Sequence, residues 1–339
     1  MMRLSLLILL PGCISLDALL PFHSGIPCNE VTAEDCDVED PWDAVCSTCE
    51  DYASGPWWTK DYAWRSKTLG DMSSIRPIET AVTQVPFESE DATYSLDAWF
   101  IPSHGENASN ADTLIIFNHG RHAGIEHYAP RVRFFHELGY AVYVWDYRGY
   151  GHSLPVDSEE AAGPPQTADW MSDARLAFQE AKALAPDPSK MVVYGMSVGG
   201  MPGGEMADLY DAEVCANVFE AAYNSISAKV ETNMALSIPG SHLTSGLIEN
   251  EIKLADITTP TLILHGSNDD RIHLDEAERL YEKLPDDLPK QYTIVENAGH
   301  GMGGEGGVPE QGLQAYGAIL ADFMSEHAPD CLSSVTLSD

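Results

Sequence analysis

The sequence predicts an α/β protein whose mostly parallel central sheet is covered by helices on both faces. Unbroken apolar runs at residues 113–117, 140–145 and 261–265 lack the polar alternation of a half-solvated strand, so both faces must be buried. Stretches with helical spacing lie between such runs and are closed by Gly or Pro. The chain has 339 residues, 44% of them hydrophobic, which fills a real core and excludes global disorder.

Taken in order, residues 80–87 and 94–101 read as strands, the second alternating through Leu96, Ala98 and Phe100. The run 113–117 is a buried strand ending in Asn118-His119-Gly120. Residues 128–138 have helical spacing closed by Gly139, and the strand 140–145 ends in Asp146-Tyr147-Arg148-Gly149-Tyr150-Gly151. Residues 169–184 form a helix with Ala174, Phe178, Ala181 and Leu184 on one stripe, stopped by Pro186. A short strand at 190–194 runs into Gly195-Met196-Ser197-Val198-Gly199 and then a helix. Strands at 214–221 and 261–265, a helix at 274–284, a strand at 292–295 and a helix at 311–327 complete the order. Residues 152–167 are rich in Pro, Gly and acid and read as a loop. Residues 224–256 hold Met234, Leu236, Ile238, Leu243 and Leu247, and read as a small insertion: a lid over the site or an excursion on its rim.

The N-terminus is set apart. Met1-Met2-Arg3, the apolar run 4–10 and Pro11-Gly12-Cys13 describe a secretory signal over residues 1–12, too short for a spanning helix of ~20 residues. Leu10-Pro11-Gly12-Cys13 resembles the lipobox of bacterial lipoproteins, with Pro11 in place of the usual Ala or Ser. That resemblance implies lipidation of Cys13 and a cell-envelope location, or secretion if the lipobox is unused. Six cysteines remain: Cys28, Cys36, Cys46, Cys49, Cys215 and Cys331. An even set in an exported chain indicates disulfides, and the first four crowd into a stapled leader at 13–70. Cys215 and Cys331 are candidates to pair with each other. One domain at 71–330 follows. With 53 acidic against 18 basic side chains the net charge is -35, which excludes nucleic acid and docking through a basic patch onto anionic lipid. Membrane attachment is therefore expected only through a lipid on Cys13.

The chemistry is concentrated in three places. Gly195-Met196-Ser197-Val198-Gly199 is a G-x-S-x-G between a strand and a helix, a turn that lifts the Ser197 hydroxyl above the sheet edge. The helix start adds N–H groups and a dipole that favour a developing oxyanion. A serine hydroxyl is a weak nucleophile until a base takes its proton, so a His and an acid are needed. Asp269 follows a buried strand in His265-Gly266-Ser267-Asn268-Asp269-Asp270-Arg271-Ile272, with Asp270 as the alternative acid. His300 follows the last strand in Asn297-Ala298-Gly299-His300-Gly301. Open α/β sheets gather their sites at these strand ends. His119, His122 and His127 lack any H-E-x-x-H or carboxylate-rich partner motif, and neither nucleotide-binding glycine pattern occurs, so no metal or cofactor is expected.

On these motifs, together with Phe117-Asn118-His119-Gly120-Arg121 and Asp146-Tyr147-Arg148-Gly149, residues 80–327 resemble the α/β-hydrolase superfamily. The similarity is to its serine-hydrolase branch with monoacylglycerol-lipase-like and S33-peptidase-like members. The resemblance implies that Ser197 attacks an acyl carbon, His300 relays the proton and Asp269 orients the imidazole. It implies an oxyanion hole made by the backbone N–H groups of Val198 and Arg121, with Asp146 and Arg148 as a turn-stabilising pair. The expected activity is hydrolysis of a small acyl ester by a monomer. A serine peptidase or aminopeptidase of the same fold is the alternative within the enzymes, and a non-catalytic binding lipoprotein the alternative outside them.

Overall fold

The computed structural model describes residues 81–104, 110–121, 124–157, 166–225, 249–300 and 313–332. The signal, the leader with Cys13, Cys28, Cys36, Cys46 and Cys49, and most of the 224–256 insertion lie outside the described residues. An eight-stranded sheet runs through the domain in the order β1-β4-β6-β5-β8-β9-β10-β11. Its members are β1 (Thr83–Gln84), β4 (Ala98–Ile101), β5 (Leu114–Asn118), β6 (Ala141–Trp145), β8 (Met191–Met196), β9 (Ala216–Glu220), β10 (Thr261–Gly266) and β11 (Lys290–Val295). All neighbours from β6 to β11 pair in parallel, while β1 and β4 add an antiparallel edge. A second sheet of three short strands joins β2 (Phe87–Glu88), β3 (Tyr94–Leu96) and β7 (Leu154–Pro155).

The unbroken apolar runs have the expected cause. Ile115 and Phe117 face one core with Val132 and Phe135 of α1 (Ile125–Glu137) and Leu320 and Phe323 of α6 (Leu313–Glu326). Leu114 and Ile116 face the other, with Met171, Ala174 and Phe178 of α2 (Thr167–Leu184) and Met201 and Met206 of α3 (Gly200–Leu209). A smaller cluster packs Ala277 and Leu280 of α5 (Leu274–Lys283) on Ile263 of β10. Each fully buried aliphatic or aromatic side chain contributes roughly 1.5–3 kcal/mol, so the sheet is anchored from both sides. Ahead of β10, α4 (Asn250–Lys253) is a single turn.

The expected strand at 94–101 is in fact two strands in two sheets. At the break, the Asp97 amide bonds the Ser153 hydroxyl at 2.9 Å and its carbonyl accepts from Asp146 N. Those bonds turn the chain between sheets. Trp99 and Ile101 are as buried as Leu96 and Ala98, so the alternation does not mark a solvent face. The expected strand at 80–87 is likewise broken, into β1 and β2, and β7 interrupts the 152–167 loop. Cys215 and Cys331 form a disulfide across 116 residues and tie the last helix to β9. In the chain-entropy model a closure of that length removes denatured-state freedom worth about 4–5 kcal/mol.

Candidate active site

The elbow is built by β8, a 3-10 turn at Ser197–Gly199 and α3. Ser197 sits at φ 55°, a left-handed conformation that a non-glycine residue adopts only when its surroundings hold it there. Gly199 is required because any Cβ would collide with the Asn118 and His119 carbonyls at the end of β5. The tight crossing brings the nucleophile turn against the β5 loop. A Cβ on Gly120 would lie 3.5 Å from that of Ser197, so Arg121, the next residue, stands at the same edge with its side chain exposed.

Asp269 follows β10 and His300 follows β11; His300 reaches Ser197, and Asp269 reaches His300. His300 Nδ1 donates to Asp269 Oδ2 at 2.7 Å, which leaves Nε2 to accept the Ser197 hydroxyl at 2.9 Å. The two loops are clasped together. Asn268 N donates to the Ala298 carbonyl at 2.9 Å, Asn297 N donates to Ser267 Oγ at 2.8 Å, and a Cβ on Gly266 would strike the Ala298 carbonyl. Asp269 Oδ1 accepts the amides of Arg271 and Ile272, each at 2.9 Å. Burial alone would raise its pKa, but hydrogen bonds from His265 and His300 outweigh that and hold the carboxyl well below the usual range. Asp269 is 7% exposed, whereas Asp270 points to solvent and joins none of these bonds.

Two expected roles change. Asp146 and Arg148 do not pair with each other. Asp146 lies 3.0 Å from His119 Nε2, both fully buried, and Arg148 forks onto Asp173 of α2 at 2.6 and 2.9 Å. Their partners lie 27 and 25 positions away, so no local pattern disclosed them. His265 also touches the site: its Nε2 lies 3.3 Å from Asp269 Oδ2 and 2.9 Å from the Ile272 carbonyl. The one signal in the sequence was a histidine inside an otherwise apolar strand. His122 and the side chain of His127 lie outside the described residues.

A serine on a strand–turn–helix elbow, with an acid and a histidine following later strands of a parallel sheet, is the arrangement of the α/β-hydrolase fold. A family model described as serine aminopeptidase, S33, matches residues 109–244. The uncharacterised Escherichia coli (strain K12) protein YfhR is 28% identical over 228 residues, covering 66% of this chain and 75% of its own. Among solved structures, an esterase of Pyrococcus furiosus superposes with TM-score 0.54 at 21% identity, covering 74% of this chain and 91% of the esterase. A Pyrococcus horikoshii acylaminoacyl peptidase does so with TM-score 0.54 at 17% identity, covering 73% of this chain and 42% of the peptidase. The chain therefore has the α/β-hydrolase fold and is similar to serine hydrolases of that fold.

Proposed function

We propose that the protein is an exported serine hydrolase that cleaves carboxylic esters through an acyl-enzyme. The carrying observation is the unbroken chain of bonds from Ser197 through His300 to Asp269, at 2.9 and 2.7 Å. In the first step Ser197 Oγ adds to the ester carbonyl while His300 Nε2 takes its proton. Asp269 stays ionised and stabilises the imidazolium. The Val198 and Arg121 amides receive the oxyanion, a contribution of about 3–4 kcal/mol for one such donor. His300 then returns the proton to the leaving alcohol, and water repeats the sequence on the acyl-serine.

The test is covalent labelling by a fluorophosphonate. Wild type reacts and Ser197→Ala does not; an unreactive wild type overturns the reading. The S33 description of the matching family model favours amide substrates as a second reading. Comparing p-nitrophenyl esters with aminoacyl p-nitroanilides separates the two. No helix among the described residues is long and apolar enough to cross a membrane; the proposed envelope attachment is through a lipid on Cys13. Incorporation of labelled palmitate that is lost in Cys13→Ala tests it.

A further inference from the structure

The Asp269 carboxylate has two oxygens and four nearby N–H donors, of which the proposed mechanism uses one. Oδ1 is held by the amides of Arg271 and Ile272, and Oδ2 receives His300 Nδ1. The fourth donor is His265. Its ring is fully buried at the end of β10, with Nε2 2.9 Å from the Ile272 carbonyl and 3.3 Å from Asp269 Oδ2. Both neighbours are acceptors, so Nε2 must carry the proton. Nδ1 has no hydrogen-bond partner among the described residues. The only polar work of this ring is therefore done by Nε2–H, and it is directed wholly at the Asp269–Ile272 loop. A buried imidazole with one bare nitrogen is costly to place in a strand core, where an aliphatic side chain costs nothing of the kind.

We propose that His265 is a positioning residue for the reaction: its Nε2–H, shared between the Ile272 carbonyl and Asp269 Oδ2, fixes the carboxylate that orients His300. The idea rests on the reading of Ser197, His300 and Asp269 as the catalytic group. Geometry explains why a fixing bond matters. Oδ2 is the atom that sets the His300 ring plane, and a catalytic ring must be held within about 0.5 Å and 10–20° of its productive position. The neighbouring Gly266 lets the His300 loop pack directly on the strand end. One dipeptide of β10 thus sets both partners of the serine, His265 through the acid and Gly266 through the loop that bears the base.

The experiment compares three forms of the full chain: wild type, His265→Leu and His265→Gln. Leu removes the donor, whereas the Gln amide returns an N–H at the position of Nε2. The first readout is the rate of fluorophosphonate inactivation, split into its binding and bond-forming constants. The second is the downfield proton resonance of His300 Nδ1–H, which reports the bond to Asp269 whether or not the serine reacts. The expected result is a bond-forming constant lower by about 10- to 100-fold in His265→Leu, the range for losing a hydrogen bond to a charged group. His265→Gln should recover most of it, and the resonance should move in Leu and return in Gln. Equal rates in Leu and Gln, or a Leu variant with wild-type rate and resonance, overturn the proposal. If Leu does not fold, His265→Asn replaces it, since its amide ends short of the Nε2 position. An inert wild type would sink the serine-hydrolase reading alone, and the resonance would still decide for or against His265.

Discussion

Two of the histidine–aspartate pairs at strand ends, His119–Asp146 and His300–Asp269, are opposite in kind. His119–Asp146 lies beside the Gly120-Arg121 loop with both side chains fully buried. Its imidazole is stacked between Tyr128 and Tyr147, with ring centroids 4.8 and 4.5 Å away. Nδ1 donates to the Gly120 carbonyl at 2.7 Å. Burial lowers the His119 pKa to about 4 and raises that of Asp146 to about 8. Both shifts favour a pair without charge, in which an acid O–H would face Nε2 at 3.0 Å. In His300–Asp269 the acid is instead held ionised by donors on both oxygens, and the far side of the imidazole faces Ser197. The same two residue types thus make a fixed pillar in one place and the proposed proton relay in the other. What separates them is the depth of burial and what the other imidazole nitrogen meets, the Gly120 carbonyl for His119 and the Ser197 hydroxyl for His300.

Replacing each acid by its amide breaks the comparison most directly. Asp269→Asn forces the amide N–H or the wrong His300 tautomer into the relay, so Nε2 can no longer accept from Ser197. The expected loss in kcat is about 10⁴-fold, with the fold intact by circular dichroism. Asp146→Asn replaces a protonated acid by a group of the same shape that still donates. Its kcat/KM should stay within about fivefold of wild type, well under the cost of leaving a buried charge unpaired. If the two variants lose activity alike, Asp146 is ionised and the two pairs are not opposites.

A smaller effect belongs to the Tyr147 hydroxyl, which donates to the His119 carbonyl at 2.6 Å. Tyr147→Phe keeps the stacked ring and removes the bond. Stability should fall by about 1–2 kcal/mol in a denaturant titration with unchanged slope, while kcat moves little. A large loss of kcat at unchanged stability would instead make the His119 shelf part of the oxyanion machinery.

These contrasts also mark what could be read in the sequence. The apolar runs and the glycine-framed Ser197 were legible because burial on both sheet faces and a tight elbow each leave a local pattern. Asp269 and Asp270 could be ranked by spacing but not separated physically until burial and amide bonds singled out the former. The His265–Asp269 contact spans four residues and depends on the turn that follows β10, whereas His119–Asp146 and Arg148–Asp173 were hidden for a common reason. Each of the latter two joins polar side chains through tertiary packing, and Asp146-Tyr147-Arg148 looks like a self-contained turn when only neighbours are visible. The two-sheet split at Asp97 was hidden too, because its cause is a hydroxyl 56 residues away.

That split supplies the smallest and most discriminating test. Asp97 is 7% exposed, its Oδ2 has no hydrogen-bond partner among the described residues, and burial, with Asp146 nearby, raises its pKa to about 8. Between the ordinary value of 3.8 and about 8, the folded chain keeps the Asp97 proton and the unfolded chain has released it. The folded state then binds more protons, so stability must decline as pH rises through this window. Asp97→Asn has no proton to lose. The variant should match wild type most closely near pH 4, and its advantage in Tm should widen steadily up to pH 8. Asp146 keeps a slope of its own, so the decline should become shallower in the variant without vanishing. Parallel Tm curves for the two proteins would mean that Asp97 is already ionised in the fold. The uncharged state inferred for the neighbouring His119–Asp146 pair would then need a different cause than the dry interior they share.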